Sequence, residues 1–421
     1  GSPTLNTKYT LSFWVKRSKI TYSECFMFDG RVDASNRFKL AFDANDKLGC
    51  FNSHSGSDTI SFGTNRQFRD TSAWYNIILA VDTTQGTEAD RVKLYVNGVQ
   101  ETSFSTMTYP SQNDANNVFN ENSSALIIGA YYNATNVFDG LMSYVAFVDG
   151  TAELPGIFGE TDSTTGEWKI KTTITPSVAW GNNGFLILKN GNSLTDESSN
   201  SNNWTLGAGT LTKTEDCPSN VFATMNVLGF TSAGLDIRNG NTYIFNDDNN
   251  NAFNTVYSTL GMTTGKYYWE IKCVGVWGSG SQMHGIGDLG SNAIQTATGQ
   301  ATDTNQAYGW RNNGSIQRGA TTVAGTSWAS SFTTGDILAF AFDSTNKKLY
   351  LKKNDVWLNS GDPTSGATGT GALSIVGDFD WGAISETKYG SDKPAYNYGN
   401  GYFVTTAVSS AGTNASGNGI F

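Results

Sequence analysis

Residues 335–358 read GDILAFAFDSTNKKLYLKKNDVWL, and this stretch indicates how the second half of the chain folds. Side chains alternate along ILAFAFD and KKLYLKKND as they do on the two faces of a β-strand. Residues 344–346 (STN) join the two strands, and residues 353–355 (KND) predict the next tight turn, because Ser, Asn and Asp are turn formers. The stretch therefore predicts consecutive antiparallel strands.

The composition of the whole chain also favours β structure. Of the 421 residues, 13% are aromatic and only 15% are charged, against about 25% charged residues in an average globular protein. Asn, Ser, Thr and 47 Gly supply the remaining polarity, and these residues favour turns and strand faces over helices. A chain of this length accommodates two sandwich domains, each with ample core.

Strand-like segments follow one another in the first part of the chain, separated by clusters of Gly, Asn and Asp. No window of a dozen residues shows the apolar period of an amphipathic helix. The predicted strands are residues 9–15, 25–28, 38–42, 48–52, 74–81, 92–96, 126–128 and 141–148. This spacing is typical of an antiparallel β-sandwich.

A long hairpin lies in this first part. The strand WYNIILAVD (residues 74–82) is followed by RVKLYVNGV (residues 91–99), whose Asn-Gly pair predicts a type I′ turn. In their order, YTLSFWVKR, WYNIILAVD, RVKLYVNGVQ, LIIGA and FDGLMSYVAFVDG resemble the laminin-G-like, concanavalin A-like sandwich. The resemblance covers residues 1–158 and implies a jelly roll of antiparallel strands.

The second part of the chain resembles another sandwich family. Five segments match the SPRY sandwich in order and spacing, over residues 217–421: GKYYWEIKC (265–273), HGIGD (284–288), AYGWRNNGSI (307–316), the stretch 335–358 and YNYGNGYF (396–403). The fold class expected for the chain is therefore all-β, with a concanavalin A-like jelly roll followed by a SPRY-like sandwich.

Residues 159–216 lie between the two predicted sandwiches. Trp168, Trp180 and Trp204 fall within this segment, and a solvated linker rarely carries three tryptophans. We interpret the segment as a connector that contributes strands to its neighbours, with a flexible linker as the alternative.

Charge and cysteine content restrict the partners and cofactors. A formal net charge of −10 and a pI of about 4.7 argue against a nucleic-acid partner, because neutralising phosphates requires clustered Lys and Arg. The longest apolar run, residues 337–342, is too short to span a membrane. Four cysteines without C-x-x-C spacing and two histidines give no zinc pattern. Buried thiols and one disulfide per domain both remain open.

No catalytic constellation is evident, so the protein is expected not to be an enzyme. Glycoside hydrolysis needs two carboxylates flanking the scissile bond, yet residues 160–162 (ETD) are loop-like and Glu270 stands alone in its strand. A serine triad needs a histidine base, and only His54 and His284 are present. Both histidines are interpreted as surface or structural residues.

No cofactor is predicted, although two clusters carry the oxygen ligands that calcium prefers. The clusters are residues 43–46 (DAND) and 246–251 (NDDNNN), and neither fits the EF-hand spacing. The first is most simply a β-turn between the strands that contain Phe38 and Leu48. Calcium is the alternative interpretation of both.

Ligand contacts are expected from loop aromatics, because sugar recognition uses flat aromatic faces together with amide or charged side chains. In SPRY-like domains the variable loops at one end of the sandwich form the partner surface, and two of the candidate segments map near such loops. Core packing is the alternative for the tryptophan of AYGWRNN, and edge packing for the two candidate tyrosines. The candidates are Trp277, Trp310, Arg311, Asn312, Trp328, Trp381, Tyr131 and Tyr132.

The order of the two modules resembles tail-fibre and other appendage proteins of marine bacteriophages. That resemblance implies a virion or extracellular protein without catalytic activity, which recognises a host-surface glycan or protein and contacts other virion proteins. A homotrimer is a further expectation for a fibre, although no coiled coil or collagen-like repeat supports it. The alternatives are a structural decoration or spacer on a capsid or fibre, and a secreted glycoside hydrolase.

Overall fold

The computed structural model describes residues 1–21, 23–229, 235–246, 253–291, 304–319, 321–325, 328–409, 411–414 and 417–421. The chain forms two compact units. The first comprises residues 1–213 and 217–221, and the second comprises residues 214–216 and 222–421. The described residues contain β-strands and short 3₁₀ helices but no α-helix, which confirms the all-β prediction.

The described part of the first unit contains fourteen strands. They are β1 (Lys8–Arg17), β2 (Cys25–Arg31), β3 (Arg37–Phe42), β4 (Lys47–His54), β5 (Ser57–Gln67), β6 (Tyr75–Asp82), β7 (Val92–Val96), β8 (Val99–Glu101), β9 (Phe104–Thr108), β10 (Ala125–Ile128), β11 (Gly140–Asp149), β12 (Gly159–Thr161), β13 (Trp168–Ile170) and β14 (Phe185–Ile187). Short 3₁₀ helices occupy Glu88–Asp90, Val118–Asn120 and Pro155–Ile157.

Two six-stranded antiparallel sheets form the sandwich of the first unit. Their strand orders are β14-β11-β1-β6-β7-β8 and β10-β2-β3-β4-β5-β9, and β12 and β13 form a separate hairpin. Alternate side chains of each strand point to the interior, so that Phe13 of β1 contacts Phe28 of β2 across the core with ring centroids 4.8 Å apart. Burial of this apolar face holds the two sheets together.

The segment after residue 158 packs as part of the first unit. β14 pairs with β11, and Trp204 contacts Phe185 of β14 edge-on at 5.0 Å. Trp168 covers Gly98 and donates its indole N–H to Asn76. The compact units therefore divide near residue 213, whereas the sequence placed a connector over residues 159–216.

The turn between β7 and β8 has the conformation that its sequence predicts. Asn97 and Gly98 both have positive φ, 48° and 76°, as a type I′ turn requires. The Asn97 side chain accepts a hydrogen bond from the Asn76 N–H at 2.7 Å.

The described part of the second unit contains sixteen strands. They are β15 (Leu235–Arg238), β16 (Tyr243–Asn246), β17 (Asn254–Tyr257), β18 (Lys266–Gly275), β19 (Gln282–Asp288), β20 (Ala307–Arg311), β21 (Ile316–Arg318), β22 (Thr321–Ala324), β23 (Ile337–Asp343), β24 (Lys348–Lys353), β25 (Val356–Trp357), β26 (Leu373–Ser374), β27 (Trp381–Thr387), β28 (Lys393–Asn397), β29 (Tyr402–Phe403) and β30 (Thr406–Ala407). Short 3₁₀ helices occupy Leu358–Ser360 and Gly366–Thr368.

The second unit is also an antiparallel sandwich. One sheet has the order β15-β16-β28-β18-β23-β24-β25, with β26 paired to β24, and the other has the order β17-β27-β19-β20-β21-β22. Trp269 stacks on Phe340 within the first of these sheets, with ring centroids 5.2 Å apart. Trp310 of the second sheet approaches the same Phe340 at 6.1 Å and so joins the two layers.

The four cysteines are free thiols. Cys25, Cys50 and Cys273 are buried in strands, and Cys217 is partly exposed. Burial raises the pKa of the Cys50 and Cys273 thiols, so both stay protonated at neutral pH. In the described residues, no helix is long and apolar enough to cross a membrane.

Candidate ligand-binding site

One exposed tryptophan marks the end of the second unit where β18 leads into β19. Trp277 is 58% exposed, and all ten other tryptophans of the chain, each of them described, are buried or partly buried. Its ring lies 5.8 Å from that of Tyr389, at an interplanar angle of 46°. Tyr389 belongs to the loop between β27 and β28, so two loops distant in sequence present one aromatic surface.

Asp392 ties these two loops together. Its buried carboxylate accepts hydrogen bonds from the backbone N–H of Trp277 at 2.8 Å and from the Ser281 hydroxyl at 2.9 Å. It also accepts the backbone N–H groups of Lys388 at 3.1 Å and Tyr389 at 3.0 Å. Burial raises the pKa of this carboxyl, and the four donors oppose the shift by stabilising its charged form.

A second anchor holds the far side of the Trp277 loop. The Asn312 side chain is buried; its amide oxygen accepts the Gly280 N–H at 2.6 Å, and its amide nitrogen donates to the Gly278 carbonyl at 2.9 Å. Gly280 has a φ of 79°, a conformation that favours glycine. Asp392 therefore holds the backbone at Trp277 and Asn312 holds the residues that follow it, so a ligand that covers the indole needs to order little backbone.

Cationic side chains flank the aromatic surface. The Lys388 ammonium lies 5.4 Å from the rings of both Tyr389 and Phe253. The Arg311 guanidinium lies 5.8 Å from the Phe253 ring. We call Trp277, Tyr389, Lys388, Phe253 and Arg311 the Trp277 surface. It combines an exposed aromatic face with hydrogen-bond donors, a combination that suits a ligand with apolar faces and oxygen acceptors.

The structure corrects the expectation for two tryptophans. Trp310 is 1% exposed, donates its indole N–H to the Ser330 carbonyl at 2.9 Å and packs edge-on against Phe332. Trp381 is 3% exposed and packs against Phe379. Because neither side chain has appreciable accessible surface, both act as core residues rather than as ligand contacts.

The remaining sequence candidates occupy three different situations. Arg311 belongs to the Trp277 surface, and the buried Asn312 side chain anchors the loop that carries Trp277. Trp328 is partly buried against the core of the second unit. Tyr131 and Tyr132 lie in the first unit and so belong to a different surface: Tyr131 packs on Phe26 at 4.7 Å, and Tyr132 is 45% exposed.

Phe253 of the Trp277 surface was not among the residues predicted from the sequence. Lys388 and Tyr389 of that surface and its anchor Asp392 were also missed. They lie in the polar stretch SETKYGSDK, which has the composition of an ordinary turn. Nothing local in that stretch indicates that it meets a loop that precedes it by more than a hundred residues.

The predicted metal clusters and histidines are placed as follows. Asp46 of the 43–46 cluster is fully buried and forms ion pairs with Arg17 and Arg69. Residues 247–251 of the other cluster lie outside the described residues, and in the described ones no group of three His, Cys, Asp or Glu side chains is arranged to hold a metal. His284 is fully buried, and burial lowers its pKa to about 3, so its imidazole is neutral at physiological pH.

The fold agrees with a known family over the first part of the chain. Residues 2–155 match the family model described as the concanavalin A-like lectin/glucanases superfamily. This concanavalin A-like domain covers both six-stranded sheets of the first unit except for β14. No curated protein matches the chain.

Solved structures similar to the chain include two SPRY domains. The SPRY domain of human HERC1 is 14% identical with a TM-score of 0.31, over 41% of this chain and 96% of that one. A second human SPRY domain is 10% identical with a TM-score of 0.31, over 40% and 96% of the two chains. Domain 4 of AbnA, a GH43 extracellular arabinanase from Geobacillus stearothermophilus in complex with arabinotriose, is 19% identical with a TM-score of 0.24, over 36% and 64%.

Proposed function

We propose that this protein is a non-enzymatic component of a virion appendage, such as a tail fibre, that recognises a glycan or protein on the host surface. The observation that carries the proposal is the exposed Trp277 ring, held beside Tyr389 by the buried Asp392 carboxylate. The protein would act outside the cell, as part of a particle or in the surrounding medium.

Trp277 is exposed and its backbone is held by hydrogen bonds. Exposed apolar patches frequently mark contact surfaces, and Trp277 forms such a patch together with the partly exposed Tyr389 ring. Aromatic residues contribute much of the energy at binding interfaces, because they bury a large area at a small cost in side-chain entropy. The apolar face of a sugar ring would stack on the indole, while Lys388 and Arg311 would donate to its oxygens.

A glycan array tests this proposal. We expect the purified chain to bind a subset of surface glycans, and Trp277→Ala to lower that binding at least tenfold. Trp357→Ala serves as the matched control, because it removes a partly buried tryptophan from β25 of the same unit. Failure to bind any glycan or any host cell would exclude the proposal.

Electron microscopy of labelled particles tests the location. Antibody labelling of a fibre or other appendage supports the virion role, and labelling of no particle contradicts it. A spacer or decoration protein is the structural alternative. It predicts that Trp277 is covered by a neighbouring subunit on the assembled particle, and therefore protected from modification by a tryptophan reagent.

Glu270 favours one further candidate function, glycoside hydrolysis. Its buried carboxylate accepts the Tyr268 hydroxyl at 2.7 Å, and burial raises its pKa, with the nearby Asp355 charge acting in the same direction. A carboxyl group of raised pKa can act as a glycosidase acid when a second carboxylate lies on the other side of the scissile bond, and Asp355 is the candidate for that second group. Release of reducing ends from polysaccharides by the wild type, abolished in Glu270→Gln, would establish hydrolysis. Absence of release would leave the binding role.

A further inference from the structure

Two arginines of the first unit face each other across neighbouring strands. Arg31 of β2 and Arg37 of β3 are register partners at the end of the hairpin. Their neighbours Gly30 and Phe38 point to the opposite side, where Phe38 enters the core. Like charges directly opposite in an antiparallel pair repel each other, so this placement is unfavourable unless an anion lies between them.

Asp29 attracts both arginines, but no acidic side chain in the described part of the unit lies within ion-pair distance of either one. Neither forms an ion pair there, and the Nε of Arg37 is buried without a hydrogen-bond partner. The Arg31 guanidinium instead lies over the Tyr132 ring at 3.9 Å, and that of Arg37 lies 5.4 Å from the Phe51 ring. Stacking occupies the face of a guanidinium and leaves its in-plane N–H groups available.

The nearby carboxylates are engaged elsewhere. Glu24 pairs with Lys39, Asp58 accepts the Ser53 hydroxyl, and Asp33 accepts the backbone N–H groups of its own turn. Asp29 lies on the same face as Arg31, two residues away.

Asp29 itself adds little negative charge at pH values well below 6. It is 3% exposed, and one of its carboxylate oxygens has no hydrogen-bond partner. Burial raises its pKa to about 6, against the attraction of Arg31, Arg37 and Lys39 and a hydrogen bond from the Tyr132 backbone. This face is therefore locally positive although the chain carries a net charge of −10.

We propose that the Arg31–Arg37 pair binds the carboxylate of an acidic saccharide, with the sugar ring lying against Tyr132 and Phe51. Two adjacent guanidinium groups match the planar geometry of a carboxylate, which accepts paired N–H bonds. The flanking aromatic rings supply the apolar contacts that a sugar ring uses. This surface lies in the first unit, whereas the Trp277 surface lies in the second, so the two proposals stand or fall separately.

Calorimetric titration of the full chain with digalacturonate at low salt tests the proposal. We expect saturable binding, weakened at least tenfold in Arg31→Gln and in Arg37→Gln, because each variant removes charge-assisted hydrogen bonds. Lys47→Gln is the matched control. Lys47 lies at the start of β4 in the same sheet, whereas Arg37 pairs with Ser53 near the other end of that strand. The control and Trp277→Ala should both bind as the wild type does.

A second variant tests the same surface without removing a cation. Asp29→Asn deletes the negative charge beside the arginines, and we expect it to bind digalacturonate more tightly than the wild type at pH 7.5, and about equally at pH 5. Equal affinity for a neutral digalactoside, binding of inorganic sulfate without binding of digalacturonate, or full binding by a folded Arg37→Gln variant would overturn the proposal.

Discussion

The buried Asp392 carboxylate accepts a hydrogen bond from the backbone N–H of Trp277 at 2.8 Å, across 115 residues of chain. This contact joins the loop after β18 to the loop before β28 and fixes where the one exposed tryptophan lies. Under the proposed function, ligand recognition at this end of the second unit would depend on a residue that the ligand does not touch.

Replacing Asp392 should damage both stability and binding. Asp392→Ala leaves three backbone N–H groups and the Ser281 hydroxyl without their acceptor, and we expect a loss of about 2 to 4 kcal/mol in the free energy of unfolding. Urea denaturation measures the loss. Asp355→Asn is the control, because that carboxylate is 93% exposed and should cost less than about 1 kcal/mol. Unchanged stability of Asp392→Ala would show that the carboxylate does not hold the loops.

Asp29 should make the stability of the first unit depend on pH. Its pKa is about 6 in the folded protein and 3.8 when exposed, so the folded state holds the extra proton between these values. The contribution of Asp29 to stability is then fully present below pH 4 and is lost as the pH rises through 6. We expect Asp29→Asn to exceed the wild type by about 1 to 2 kcal/mol at pH 8, after allowance for screening near the surface, and to match it near pH 4. Urea denaturation at both pH values checks this, and a variant less stable at pH 8 would contradict it.

The buried ion pair between Arg17 and Asp46 should be costly to break. The Arg17 guanidinium donates to Asp46 at 3.0 Å and to the Phe68 carbonyl at 2.6 Å, and both side chains are almost fully buried. Asp46→Ala leaves the Arg17 charge without this partner, so we expect a loss of about 3 to 5 kcal/mol. Lys8→Gln, which removes a partly exposed ion pair with Asp82, should cost at most about 1 kcal/mol in the same denaturation experiment. Similar losses of stability in Asp46→Ala and Lys8→Gln would contradict the expectation that the buried ion pair is costlier to break than the partly exposed one.

Gly98 tests whether residues 159–213 are an integral part of the first unit. A Cβ at Gly98 would lie 2.4 Å from the Trp168 ring, and the backbone there has a φ of 76°. Gly98→Ala should therefore combine backbone strain with displacement of Trp168, at about 2 to 4 kcal/mol. Gly56→Ala isolates the strain alone, about 1 kcal/mol, because Gly56 has a φ of 80° and open space around its Cα. Equal melting temperatures for Gly98→Ala and Gly56→Ala would show that Trp168 does not pack against Gly98.

The sequence predicts most of the first sandwich, because strands that bury one face carry a strong apolar pattern. The eight predicted segments fall on β1, β2, β3, β4, β6, β7, β10 and β11. β5 was missed, since its sequence SDTISFGTNRQ places only Ile60, Phe62 and the polar Thr64 in the interior. Its neighbours β4 and β9 supply the pairing that its own composition does not indicate.

The candidate site was harder to predict than the fold. Trp277 and Trp310 look alike in sequence, since both adjoin Gly- or Asn-rich turns, but β20 carries Trp310 into the space between the sheets. Tyr389 and Asp392 could not be predicted from their own stretch of sequence. Because β27 pairs with β19 and β28 pairs with β18, the loop between β27 and β28 lies beside the loop that carries Trp277. Local composition identifies a turn, whereas the partners of that turn are set by long-range pairing.

Titration of purified wild-type chain and Trp277→Ala against host-cell surface polysaccharide tests whether the exposed Trp277 ring recognises a host glycan. We expect saturable binding by the wild type and at least a tenfold weaker affinity for Trp277→Ala, with the melting temperature unchanged and Trp357→Ala binding as the wild type does. Equal affinity of wild type and Trp277→Ala, or no binding by either, would contradict this expectation.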